Sequence, residues 1–473
     1  MMYDVVVIGG GSSGMSAAIK ASEHCKKVLL IERENRLGGI LNQCIHNGFG
    51  LKMFKEELTG VEYATKLASQ LLKTDVDILL ETFVCEVGKD YVVVKNQKGI
   101  SKIKTKAIVF AVGCREKTPS SISLAGKRLA GVYTAGVVQK MINYYGKVPG
   151  KSAVILGSGD IGLIMARRLT LQGVKVKCVL EIMPQCAGLR RNVTQCLDDF
   201  SIPLLLSHTV KRVVGEDRVR GVYISKVDEN FNFTSEEKFI KCDCLLLAVG
   251  LVPENELIAN LCQINPKTKG AVVNELRQTS CPSIFSSGNV LHIHDLADNA
   301  SIEGEIAGES AGLFACGKPK NKGEFDICFS EDISYTIPQK HTGSKNFMLY
   351  FRSKKRFDKK KVVVKDENGK IINSKYYLAI LPGELQEIEV KTPCGKIFLE
   401  VEWKRFALFA QLVAVLKLKK KVKNLLSLEM VATGGLNMEK VSLFVQKEFW
   451  LHLLLEKIKS ALLKQRFLLK RQK

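Results

Sequence analysis

No apolar run in the 473 residues reaches the roughly 18 that a membrane-spanning helix needs. The opening segment MMYDVVVIGGG passes straight into a strand pattern, without the basic stretch and cleavage site of a secretion signal. The 14 cysteines show no paired framework spacing, which excludes a small disulfide-stapled scaffold and predicts free thiols in a reducing cytoplasm. The last 73 residues, 401–473, contain no Cys, Pro or Asp, yet hold both tryptophans and 16 basic against 5 acidic residues. Nearly half of the formal charge of +23 therefore sits in that tail. A charge so confined argues against nucleic acid as a partner.

What is present is a pattern that occurs twice. Tyr3 to Glu34 reads strand, glycine turn, helix, strand, with Gly9, Gly11 and Gly14 in G-x-G-x-x-G and Glu32 closing the second strand. Lys151 to Glu181 repeats it with Gly157, Gly159, Gly162 and Glu181. The glycines allow a tight turn, close approach of a pyrophosphate and close helix–strand packing. The helix N-terminus then offers free N–H groups to phosphate: Ser12, Ser13 and Gly14 in the first unit, Asp160, Ile161 and Gly162 in the second. A carboxylate about twenty residues on accepts the ribose hydroxyls, and at Glu181 it favours NAD(H) over NADP(H). Two complete dinucleotide units in one chain imply electron transfer between two dinucleotides.

With its supporting motifs in order, the chain resembles the two-domain FAD/NAD(P) oxidoreductases of the pyridine nucleotide–disulfide reductase-like superfamily. TKAIVFAVGCRE (Thr105 to Glu116, with Gly113) resembles the segment where the chain leaves the FAD domain, and CDCLLLAVGLVPENEL (Cys242 to Leu257, with Gly250) its counterpart leaving the NAD domain. TSCPSIFSSGNV (Thr279 to Val290) resembles the late flavin motif, with Gly288-Asn289 where the family has Gly-Asp. Gly39 belongs to the loop after the first fingerprint. The resemblance implies an α/β fold of two Rossmann-like domains, the NAD domain inserted in a discontinuous FAD domain, and FAD as the first cofactor. We place the FAD domain at 1–118 and 271–325 and the NAD domain at 119–270. From Ser301 the sequence reads as a helix with small residues on one face, and the resemblance implies that its N-terminus points at the flavin.

The disulfide reductases of this family place two cysteines beside the flavin, because thiol exchange needs one to attack and one to resolve. GGILNQCIHNGFG supplies Cys44 alone, with His46 two residues on. The second nucleotide unit has no C-x-x-C, only the Cys242-Asp243-Cys244 of a buried-looking strand. Two readings stay open. Cys44 and His46 are catalytic, a single thiolate cycling as in NADH oxidases and peroxidases; or Cys44 packs near the flavin and His46 is structural. GGILNQCIHNGFG, AVGCRE, VILGSGDIGLIMARRLTLQG and GNVLHIHDLADNASIEGE together resemble flavoproteins of anaerobic glycerol-3-phosphate dehydrogenase systems. That branch implies a small, anionic substrate, and His46, His292 and His294 as polar groups near the flavin. It also leaves room for a relay subunit of a dehydrogenase complex, or a homo-oligomer. No metal ligand set is expected in this chain.

From Asp326 short β-rich runs alternate with turns such as DENGK, which predicts a small β-rich appendage over 326–390. The basic tail, 391–473, reads as amphipathic helices or as a frameshifted read-through. Back-translated from Glu402 with codons chosen from those the degenerate code allows, and shifted by one frame, it can read Met-Glu-Lys-Ile-Cys-Thr-Ile-Cys-Pro-Val-Gly-Cys, a C-x-x-C-x-x-x-C pattern. That pattern predicts a cysteine-rich iron–sulfur or zinc partner encoded downstream.

Overall fold

The structure is a computed structural model that describes residues 2–402, apart from 235, 319–322, 344 and 392–394. The tail from 403 on, with its expected helices and shifted frame, lies outside the described residues.

Val5 to Ile8 and Val28 to Ile31 are buried without interruption, as strands covered on both faces of a parallel sheet must be. The strand Met2–Ile8 pairs in parallel with Val28–Ile31 on one side and Gly99–Phe110 on the other. They belong to a seven-stranded sheet. Ile284–Ser286 returns to this sheet and pairs with Gly99–Phe110. The intervening chain builds a second, five-stranded sheet, wholly parallel, around Ser152–Leu156 and Lys175–Glu181. The fold is thus α/β, one doubly wound nucleotide unit inserted in another. The two segments read as domain exits, Cys114–Glu116 and Leu251–Pro253, form an antiparallel pair, with Pro253 opposite Cys114.

The long helix runs from Ala297 to Ala315, four residues earlier than the Ser301 expected. The sequence pattern hid this start because no side chain caps it. Asp298, in its first turn, instead accepts the backbone N–H groups of Gly50, Lys52 and Met53. The helix lies on the first helix, Ser12–Ser22, through its small-residue face.

The β-rich appendage forms two sheets around a core that includes Phe351, Val362, Leu349 and Ile388. Asp366 closes the DENGK turn by accepting Asn368 N and Lys370 N. The fold continues past Val390, because Ile397–Glu402 is a strand paired in parallel with Phe325–Phe329. Ile397, Leu399 and Val401 point into the core while Phe398 and Glu402 face out. That alternation fits a native strand, so the start of the tail at 391 was drawn too early. Among the described residues no helix is long and apolar enough to cross a membrane.

Candidate active site

The two glycine turns are built alike. Gly9 and Gly157 have φ of 105° and 107°, a region that L side chains rarely adopt. A Cβ on Gly14 would lie 1.8 Å from Gly9 O, and one on Gly162 2.4 Å from Gly157 O. At the next strand end each carboxylate is buried and engaged in the same way. Glu32 Oε2 accepts Gly10 N at 2.7 Å and Oε1 accepts Glu34 N at 2.8 Å. Glu181 Oε2 accepts Ser158 N at 3.0 Å and Oε1 accepts Met183 N at 2.9 Å. Both carboxylates are thereby fixed beside the glycine turn, where a ribose would reach them.

Each helix start is open. Gly11 and Gly159 are the N-caps, and neither helix has a side-chain cap. A Cβ on either glycine would meet nothing within 4 Å. The first-turn N–H groups of Ser12, Ser13 and Gly14, and of Asp160, Ile161 and Gly162, are left for a phosphate. The Asp160 carboxylate accepts Leu189 N and the Asn192 amide. These cradles fit the two dinucleotides.

The late flavin motif packs on the first turn. Ser13 Oγ lies 2.8 Å from Ser287 Oγ, and a Cβ on Gly288 would crowd Ser13 at 2.8 Å. Gly39 sits over Gly11, where a Cβ would be 3.2 Å from its Cα. Asn289 accepts His294 N at 3.0 Å and stands beside the Cys114 thiol. Burial pushes that thiol up to about 11, with Asn289 acting the other way. Gly113 has open space around it, and Gly250 accepts Lys117 N through its carbonyl.

Cys44 and His46 are not joined by any hydrogen bond among the described residues. Cys44 is buried, with Sγ 3.5 Å from Ile40 O. Burial pushes its thiol up to about 11, although a hydrogen bond with Gln139 works the other way. The raised value favours the protonated thiol, and among the described residues no basic side chain is hydrogen-bonded to it. The His46 ring packs on Phe49 and its Nδ1 meets Asn47 O.

Sequence reasoning named His292 and His294 but missed the Arg277–Glu303 pair that joins them behind Gly288. Glu303, 1 % exposed, accepts Arg277 Nε at 2.9 Å, Gly288 N at 2.8 Å and bonds His294 Nε2 at 2.9 Å. His292 Nε2 stands 3.5 Å from the same carboxylate, and the two imidazoles lie 4.1 Å apart. Burial alone would raise Glu303, but His294 and Arg277 outweigh it and hold the carboxyl well below its usual range. Burial and then His294 push His292 down to about 4. Donor atoms of His292, His294 and Glu303 lie within 4.8 Å of one another, as a metal site requires. Arg277 already balances the carboxylate, however, and a divalent ion would add uncompensated buried charge, so we assign no metal here.

Buried His292 makes the fold sensitive to acid. Its folded value of about 4 lies below the ordinary 6.5, so the unfolded chain takes up the proton first. Stability is full above pH 6.5 and falls by roughly 3 kcal/mol as the pH drops towards 4. Glu303 acts in the same direction at lower pH. Urea midpoints measured between pH 7 and pH 4.5 should fall steeply, and less so in His292→Leu; equal slopes would contradict the assignment.

Residues 3–304 match the family model described as "Pyridine nucleotide-disulphide oxidoreductase". The chain belongs to this family. Use of FAD and a pyridine nucleotide is typical of the pyridine nucleotide–disulphide oxidoreductases. The chain is 27% identical over 297 residues to the NAD(P)H sulfur oxidoreductase (CoA-dependent) of Pyrococcus abyssi, covering 60% of this chain and 62% of the relative. It is 28% identical over 302 residues to the NAD(P)H coenzyme A polysulfide/persulfide reductase of Pyrococcus horikoshii, covering 61% and 63%. The match thus spans under two-thirds of those relatives' length. In fold, it is similar to the thioredoxin reductase of T. acidophilum, with a TM-score of 0.55, 22% identity, and coverage of 67% of this chain and 99% of that one.

Proposed function

We propose that this family member is an oxidoreductase that passes hydride between NAD(H) and a bound FAD. The observation that carries the reading is the duplicated cradle: an open, uncapped helix start beside a fixed carboxylate, at Glu32 and again at Glu181. FAD, when bound, supplies the acceptor for a hydride and a route for its electrons onward. The chain's residues bind and orient. Gly9, Gly11 and Gly14 receive the FAD pyrophosphate, Glu32 its ribose, and Gly288, Asn289 and Gly113 border the flavin; Gly157, Gly159, Gly162, Glu181 and Gly250 serve NAD(H).

The second electron partner we take to be a small metabolite, anionic and glycerol-3-phosphate-like, or an electron-carrier protein such as the cysteine-rich partner inferred downstream. This choice rests on the sequence resemblance. Single-cysteine chemistry at Cys44 is the second reading. The sulfur substrates in the two relatives' names favour a working thiol; burial that keeps Cys44 protonated weighs against it.

Glu181 is expected to reject the 2′-phosphate of NADPH by charge. With ferricyanide as acceptor, kcat/KM should favour NADH. Glu181→Gln keeps the shape and should shift the NADH-to-NADPH ratio towards NADPH by about tenfold, the equivalent of about 1.4 kcal/mol. A wild type that prefers NADPH, or a ratio unmoved by the substitution, would sink the assignment. Cys44→Ser in the same assay separates the two readings: unchanged turnover with ferricyanide and with peroxide leaves hydride transfer alone, whereas selective loss with peroxide assigns the thiol.

A further inference from the structure

The first helix and the long helix touch in a fixed register. A Cβ on Gly304 would lie 2.1 Å from Ser13 O, one on Gly308 2.1 Å from Ala17 O, and one on Gly312 3.3 Å from Ala21 O. Each contact advances four residues on both helices, so the two run parallel with backbones in close approach. One further step on each chain brings Cys316 opposite Cys25. Their sulfurs are 3.6 Å apart although 291 residues separate them in sequence. Each thiol also meets a carbonyl of the facing segment, Cys25 that of Gly312 at 3.3 Å and Cys316 that of His24 at 3.2 Å. Cys25 is buried and Cys316 exposed.

We propose that Cys25 and Cys316 are an oxidative modification site, a dithiol that closes to a disulfide when the exposed Cys316 meets hydrogen peroxide. The Cys316 thiolate attacks one peroxide oxygen, the O–O bond breaks, and hydroxide leaves to give the sulfenic acid. The Cys25 sulfur then attacks the Cys316 sulfur. The S–S bond forms, the S–O bond breaks, and water leaves with the Cys25 proton. Both sulfurs are oxidised by one electron each and one peroxide becomes two waters. The roles are set by access. Burial, with Cys316 alongside, pushes the Cys25 thiol up to about 12, so it waits protonated as the resolving group. Closing from 3.6 Å to a bond of about 2.05 Å needs a small shift. Cys316 is the C-cap residue of its helix and Cys25 follows the end of the other, positions where the backbone yields.

The bond would cross-link the first helix and the long helix just past their C-terminal ends and enclose most of the fold in one loop. The test uses the full chain with its flavin. After peroxide, alkylation of free thiols and non-reducing digestion, mass spectrometry should find one cross-linked pair of peptides, containing Cys25 and Cys316, that dithiothreitol separates. The Tm should rise by about 5 °C or more and return on reduction. Cys316→Ser should abolish both changes. Cys25→Ser should leave a Cys316 sulfenic acid that dimedone traps. In the wild-type chain, either thiol remaining alkylatable, Cys316 oxidised without a bridge, or a bridge to another cysteine would overturn the proposal.

Discussion

Gly159→Asp is expected to leave FAD bound and the fold intact while lowering affinity for NADH by about a hundredfold or more. Gly159 is an N-cap with φ −64° and ψ 164°, a conformation that Asp adopts readily and in which it caps a helix well. Its side chain would enter space that is open around the glycine and bond the N–H groups otherwise left for phosphate. A fixed carboxylate there also repels the pyrophosphate, and like charges brought together cost several kcal/mol. Gly11→Asp makes the matching change in the first cradle, where Gly11 has φ −74°, and should yield a folded protein without flavin. Equilibrium binding of NADH to the Gly159→Asp holoprotein, with its flavin spectrum as control, checks the pair. Wild-type NADH affinity in Gly159→Asp would show that the second cradle is not the NAD(H) site.

The second large effect concerns Arg277. Its Nε donates to Glu303 at 2.9 Å with both side chains 1 % exposed. Removing one partner of such a pair leaves a buried charge uncompensated, at about 3–5 kcal/mol. Arg277→Met should therefore lower the Tm of the holoprotein by roughly 10 °C. Arg277→Met with Glu303→Gln removes the charge as well and should recover part of the loss. If Arg277→Met does not fold, the double variant and Glu303→Gln still report the coupling. A wild-type Tm in Arg277→Met, or no recovery in the double variant, would mean that the pair does not hold this region together.

Local spacing made the nucleotide units legible. A glycine turn, the helix after it and the carboxylate about twenty residues on are one continuous piece of chain, and Glu32 and Glu181 stand where that piece puts them. The two exit segments were read from resemblance to the family, and nothing in their own sequence announced that Cys114–Glu116 and Leu251–Pro253 pair. What stayed hidden depends on residues brought together from far apart. Arg277 and Glu303 meet across 26 positions with no spacing rule to announce them, and Cys25 meets Cys316 only because glycines on one helix face small residues on another. The protonation of Cys44 is likewise set by what covers it. The helix start at Ala297 was missed because Asp298 serves a neighbouring loop. Ile397–Glu402 was assigned to the tail with the frameshifted read-through, whereas its alternation of apolar and polar residues from Leu399 on was readable in the sequence.

The most direct test of the account is an anaerobic absorbance titration of the purified protein with NADH and then NADPH. A bound FAD is expected whose visible absorption bleaches rapidly with NADH and more slowly with NADPH. A flavin that binds but that neither nucleotide reduces would contradict hydride transfer between the two cradles.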